Sequence, residues 1–271
     1  TYSTASGAYA NASGERSTAL GFLAGAKGSH AIALGAESQA NGFEAMALGS
    51  FSNANGNYST ALGYGATANG TLSMALGRYT NAGNYSTALG TYANASGTYA
   101  TASGYLANAS GSSSMALGYR SNASGTGSTA LGYHSIASGI YATALGQLTH
   151  ASGRYSTASG YQANASGAYS TATGACSSAS GYGSLAIGTY ANSSGIGSTA
   201  IGSYVAASGI GSTALGACST VIGNYAQAFG FSATSAYTNS TAIGRSAATT
   251  RADQIVLGTS TTTVTAANLS G

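Results

Sequence analysis

A glycine recurs every seven residues from Gly7 to Gly77 and, after the loss of one residue, from Gly83 to Gly230. With Gly244 and Gly258, this grid holds 35 of the 42 glycines of the chain. A sequence punctuated so often has no room for a helix and its turn between marks. It fits a strand of about four or five residues closed by a glycine turn, with side chains alternating between two faces. Two such halves form the unit, seen most cleanly as Ser86-Thr87-Ala88-Leu89-Gly90 and Ala93-Asn94-Ala95-Ser96-Gly97. A regular period of fourteen marks a solenoid in which each unit is one coil stacked on the next. The expected fold is all-β, a flat parallel β-roll of 14-residue coils with two short strands per coil, over residues 1–258.

The alternation sorts side chains into an inward and an outward set. Two residues before the grid glycine stands alanine in nearly every half, as in Ala19, Ala47, Ala88, Ala95, Ala130, Ala165 and Ala214. Four residues before it stands Ser, Ala or Thr, as in Ser17, Ala31, Ser86, Ala93, Ser128 and Ala163. Side chains this small fill only a narrow gap, so the roll is expected to be flat and nearly coreless.

The outward sets differ between the halves. In the first half the residue before glycine is Leu, Ile or Phe in 15 of 19 cases. In the second half the outward positions are polar, as Asn94 with Ser96 and Asn164 with Ser166. The second face is therefore expected to meet water, and Asn122→Ala to be nearly silent. The first forms an apolar patch larger than a soluble monomer normally exposes. Self-association is expected along Leu20, Leu34, Leu48, Leu62, Leu89, Leu117, Leu131, Leu145, Ile187, Ile201 and Leu215, and one face meeting its copies around an axis gives a closed cyclic oligomer.

The segment Asn239-Ser240-Thr241-Ala242-Ile243-Gly244 resembles, with one difference, the Asn-Ser-Val-Ala-Ile-Gly motif of trimeric autotransporter adhesin heads, the YadA-like left-handed parallel β-roll. Ser184-Leu185-Ala186-Ile187-Gly188 and Ser198-Thr199-Ala200-Ile201-Gly202 are nearly as close. The resemblance covers residues 1–258 and extends to rolls in phage and viral tail fibres. It implies a left-handed roll, a homotrimer, and an extracellular setting on a cell, virion or fibre surface. It also implies attachment to host-cell surfaces or to matrix proteins or glycans. Residues 259–271 lose the period and are expected to be a C-terminal cap or a connector to a following module.

Charged residues are 4% of the chain and the net charge is +3, with no basic cluster, so nucleic acid is not an expected partner. No run of eighteen apolar residues exists, so this segment is not expected to insert in a membrane. The four acids (Glu15, Glu37, Glu44, Asp253) form no evident pair, and His30, His134 and His150 lack metal-ligand spacing. No catalysis, metal or cofactor is expected. Cys176 and Cys218 lie three coils apart, beyond disulfide reach within the chain.

Tyr141, Tyr155 and Tyr169 occupy one turn position in three successive coils, as Tyr85 and Tyr99 do earlier. Stacked at about 4.8 Å per coil they would form a ridge. Together with Asn94, Asn108 and Asn122 they are the candidate ligand face of an extracellular adhesin head or shaft. Two alternatives are an ice-binding solenoid using the outward threonines, and a structural filament or tail-fibre shaft without a ligand.

Overall fold

The computed structural model describes residues 2–260. They form two compact units that divide after residue 141, and the same coil recurs within each. In the first unit, three-residue strands from Thr4–Ser6 to Thr129–Leu131 form one parallel ladder. Two-residue strands from Asn11–Ala12 to Ile136–Ala137 form a second. The second unit repeats the scheme, from Thr143–Leu145 to Ile255–Leu257 in one ladder and from His150–Ala151 to Thr234–Ser235 in the other. Each strand pairs with its equivalent one coil away, as Thr87↔Thr101 and Asn108↔Asn122. No helix among the described residues is long and apolar enough to cross a membrane.

Strands of three and two residues are shorter than the four or five expected, because the turns consume more chain. After most grid glycines comes a β-turn in which the third residue back-donates to the glycine carbonyl, as Ala100 to Gly97 at 3.2 Å. The residue two past the glycine is left-handed, Tyr85 at φ 55° and Tyr99 at φ 60°. Its amide then donates to the neighbouring coil, Tyr99 to the Asn84 carbonyl at 3.1 Å and Tyr92 to the Arg78 carbonyl at 2.9 Å. The turns thus extend the inter-coil ladder, and their backbone groups are satisfied whatever side chain they carry.

The two glycines of a coil are required for different reasons. Gly104 has φ 133°, a conformation that side chains rarely adopt. Gly97 has no such φ, but a Cβ there would collide with the Gly111 carbonyl of the next coil. The single-residue deletion falls in a turn of the Asn-bearing ladder. Register is 14 for Thr67↔Asn81 and 13 for both Met74↔Thr87 and Asn81↔Asn94, so pairing survives on both sides. Gly83 takes the place of the usual serine, and Ser86 Oγ donates to both the Gly83 and Ala95 carbonyls at 2.8 Å.

The interior is the expected methyl-sized layer. Ala88, Ala95, Ala102, Ala109, Ala116 and Ala123 are wholly buried, and Val205 and Val221 are the largest fully buried side chains. Several inward serines fasten the turns as well as filling space, whereas the buried hydroxyls of Ser114, Ser128, Ser156, Ser170, Ser184 and Ser212 find no partner among the described residues. Ser17, Ser59 and Ser73 donate to the carbonyls of Gly14, Gly56 and Gly70 at 2.6–2.8 Å, and Ser38, Ser52 and Ser177 do the same on the opposite ladder. The expected connector at 259–271 lies almost wholly outside the described residues.

Candidate functional site

The outward column of the three-residue strands carries the apolar residues. In the first unit Leu20, Leu34, Leu48, Leu62, Leu76 and Leu89 are consecutive register partners. Ser103 then stands between Leu89 and Leu117, and Leu131 follows. In the second unit Leu145 is followed by Ser159 and Thr173 before Ile187, Ile201, Leu215, Phe229 and Ile243. The patch is thus broken within each unit where a hydroxyl replaces the aliphatic group. None of these side chains is buried; Leu34 is 47% exposed and Leu131 45%. With alanine behind them, they have no cavity of their own chain to enter.

The opposite face is polar but not loosely so. The amides of Asn41, Asn55, Asn69, Asn81, Asn94, Asn108 and Asn122 form one chain, each Nδ2 donating to the next Oδ1 at 2.7–3.5 Å. Asn94, Asn108 and Asn122 are half-buried within it. Amide ladders of this kind reinforce in-register stacking. The expectation that Asn122→Ala would be nearly silent therefore changes, because Asn122 accepts a hydrogen bond from Asn108 at 2.9 Å. The serines beside the ladder, Ser96, Ser110 and Ser124, are exposed.

Both turn edges carry aromatic rings. Tyr85 stacks on Tyr99 with centroids 4.9 Å apart, and Tyr155 on Tyr169 at 5.2 Å. Tyr141 occupies the equivalent turn position in the first unit, at φ 55°. The longer column, missed in the sequence, runs along the other edge of the first unit. Phe51, Tyr64, Tyr79, Tyr92, Tyr105, Tyr119 and Tyr133 follow one another at 5.1–6.1 Å. Its members stand at either the first or the second residue after glycine, in no fixed order, which hides the column from a search at one position. Arg78 lies over the Tyr64 and Tyr79 rings and Arg120 over Tyr119. In the second unit Tyr190 stacks on Tyr204 at 4.9 Å. The neighbouring Cys176 thiol, by hydrogen bonding and charge, raises the Tyr190 phenol above its ordinary pKa. The Tyr64 phenol is raised likewise, chiefly by Tyr79.

Cys176 and Cys218 are free thiols. His30 and His134 sit at left-handed turn positions and His150 is exposed on a strand. Among the described residues no three His, Cys, Asp or Glu side chains gather as a metal site would need, and no pocket is found. What the molecule presents is repeated surface: an apolar column, an amide ladder and two ring-bearing edges.

The family model described as YadA head domain repeat (2 copies) matches residues 1–24, 26–52, 40–66, 68–93, 82–107, 109–135, 123–149, 137–161, 151–175 and 179–204. The chain belongs to the YadA head repeat family. Matches beginning at 109, 123, 137 and 151 step by the length of one coil. Among solved structures, this YadA-like head is similar to the crystal structure of the collagen-binding domain of the Yersinia adhesin YadA. Identity is 21% over 72% of this chain and 74% of that one, with a TM-score of 0.25. No curated protein matches the chain. The YadA-like head is an adhesin-like fibrous surface protein, of a kind that is not enzymatic.

Proposed function

We propose that this YadA-like head is a homotrimer joined along its Leu/Ile column, and that it attaches to host-cell or matrix surfaces through the faces left outside. One observation carries the reading: half-exposed aliphatic side chains, in register over an alanine layer that cannot take them in. Burying a Leu or Ile side chain fully contributes about 1.5–3 kcal/mol. The interior of the roll holds only small side chains, valine the largest, so the seam supplies stability that a lone chain lacks. Ser103, Ser159 and Thr173 are the places where the seam is thin. Residues 259–271 are read as a C-terminal cap or a connector to a following module.

Attachment belongs to the Asn/Ser face and the ring-bearing turns, including Tyr85, Tyr99, Tyr141, Tyr155 and Tyr169. Contacts there are shallow and repeated, so strength comes from number. The similar Yersinia domain is described as collagen-binding, and collagen is the first matrix ligand to try. Light scattering is expected to give three times the chain mass, and Leu117→Asn with Leu131→Asn to give monomer or unfolded chain. A stable folded wild-type monomer would refute the seam. Removing coils between Gly97 and Gly167 in steps of fourteen residues preserves register and is expected to weaken collagen binding progressively. Loss on removing one particular coil would instead locate a discrete site.

A further inference from the structure

Tyrosines of consecutive coils lie face to face at several turns. Tyr85 and Tyr99 have centroids 4.9 Å apart with planes 19° apart. Tyr119 and Tyr133 lie at 5.1 Å and 8°, and Tyr190 and Tyr204 at 4.9 Å and 14°. These six rings are 40–62% exposed, so both members of each pair meet solvent. The backbone holds them in register, since the amide of each coil's left-handed residue bonds to the coil before it, as Tyr99 to Asn84 and Tyr204 to Thr189. Few surfaces present paired phenols at contact, unburied and fixed relative to one another. No feature of the adhesin reading requires that the rings be tyrosine rather than phenylalanine.

We propose that these stacked pairs are sites of oxidative tyrosine–tyrosine coupling, which staples one coil to the next when the surface meets hydrogen peroxide and a haem peroxidase. Each phenol gives up one electron and its O–H proton to the oxidised peroxidase, leaving a radical delocalised onto the ring carbons beside the oxygen. The two radicals pair to form one carbon–carbon bond. The hydrogen on each coupled carbon then moves to the oxygen and restores the phenol. The pair has lost two electrons and two protons, and one peroxide accepts two electrons and two protons to become two waters. Proximity favours this route, because partners held in contact react as a unimolecular pair. Exposed side chains reorient within nanoseconds, so modest ring rotation is no barrier.

The inference needs only the coil stack, and is independent of the trimer and of any ligand. Pairs in the same edge column with crossed planes supply an internal control: Tyr64–Tyr79 at 88° and Tyr92–Tyr105 at 89°. In these pairs one ring must turn through about a right angle before the two faces meet, a larger rearrangement than the near-parallel pairs need, so they are expected to couple less.

The experiment treats folded protein, co-assembled from isotopically heavy and light chains, with a haem peroxidase and hydrogen peroxide. Products are cut with a protease of broad specificity and linked tyrosines are mapped by mass. Links are expected at Tyr85–Tyr99 and Tyr119–Tyr133, each with the loss of two hydrogens and each all-heavy or all-light. In Tyr85→Phe the Tyr85–Tyr99 link is lost while the Tyr119–Tyr133 link remains, which shows that the stack is intact. The treated wild type should also unfold at higher urea than the untreated protein. Absence of links at these pairs, links of mixed isotope, or equal yield from the crossed pairs would overturn the proposal.

Discussion

Ala116→Leu tests the narrowness of the interior most directly. Ala116 is wholly buried, and its register partners Ala102 and Ala130 are wholly buried too. Ala109 and Ala123 of the opposite ladder are likewise wholly buried. An isobutyl group in place of the methyl has methyls on either side at the coil spacing of about 4.8 Å. Room could come only from parting the two ladders, and the glycine turns that join them are hydrogen-bonded coil to coil, Gly118 to Ser103 and Gly111 to Ala123. The strain therefore spreads to neighbouring coils, and the cost belongs at or beyond the upper end of the 1–3 kcal/mol usual for overpacking.

The molecule supplies its own calibration. Val221 stands in such a column with Ala207 and Ser235 as register partners, so one isopropyl group flanked by small residues is accepted. Ala116→Val should accordingly be mild. Ser110→Leu, on the exposed polar face, should stay within about 0.5 kcal/mol of wild type. Urea unfolding followed by far-ultraviolet circular dichroism, at one fixed protein concentration, ranks the three. A midpoint for Ala116→Leu equal to that of Ser110→Leu would refute the assignment of inward and outward positions.

Other perturbations probe the amide ladder, the turns and the phenols. Asn108→Ala breaks the ladder on both sides, from Asn94 and to Asn122, and at about 0.5–1.5 kcal/mol per hydrogen bond should cost more in urea unfolding than Asn122→Ala. Ser113→Gly should stabilise: the residue is exposed at φ 55°, and relief of about 1–2 kcal/mol of left-handed strain outweighs the ~0.4–1 kcal/mol of added unfolded-state entropy. Cys176→Ala should let the Tyr190 phenol ionise at lower pH than in wild type, followed by NMR of labelled tyrosine. The sign follows from the thiol holding that phenol's pKa above its ordinary value in the fold; any stability from it is present below the ordinary phenol range and lost as pH rises through the raised value.

The coil, its direction of burial and the apolar column were legible in the sequence because each depends on one coil at a time. Period, alternation and residue size suffice to place Ala88 inside and Leu89 outside. What escaped depends on relations between coils. The amide chain moves from the column of Asn69 to that of Asn81, a step that crosses sequence positions and is visible only once register is known. The seven-ring edge column was hidden for a similar reason. Tyr64 and Tyr105 follow their glycines by one residue and Tyr79 and Tyr92 by two, yet the rings meet. Strand length was overestimated because the periodicity does not reveal how many residues a left-handed turn consumes.

The division of labour within the coil explains how a repeat this rigid can carry varied surfaces. Glycine provides the turn geometry, alanine and serine fill and fasten the interior, and neighbouring coils satisfy the turn backbone. The two residues after each glycine are left with no obligatory packing duty. The second of them adopts a left-handed conformation that glycine would accept at little cost, and glycine does stand there at 65, 127, 183, 197 and 211. Elsewhere the same conformation is imposed on Tyr, Phe, Leu, His, Arg, Cys, Glu, Gln, Ser, Asn and Asp, with φ between 51° and 60°. Aromatic pairing returns about 0.5–1.5 kcal/mol beyond area burial, which offsets much of the strain where a ring finds a ring, as at Tyr85 and Tyr99. Where none is found, as at Ser113, the strain stands uncompensated. Stability therefore favours aromatic columns over isolated substitutions at the turns. Exchanging one stacked run for another therefore changes an edge at little cost in stability, which makes the ring columns the natural carriers of whatever the surface recognises.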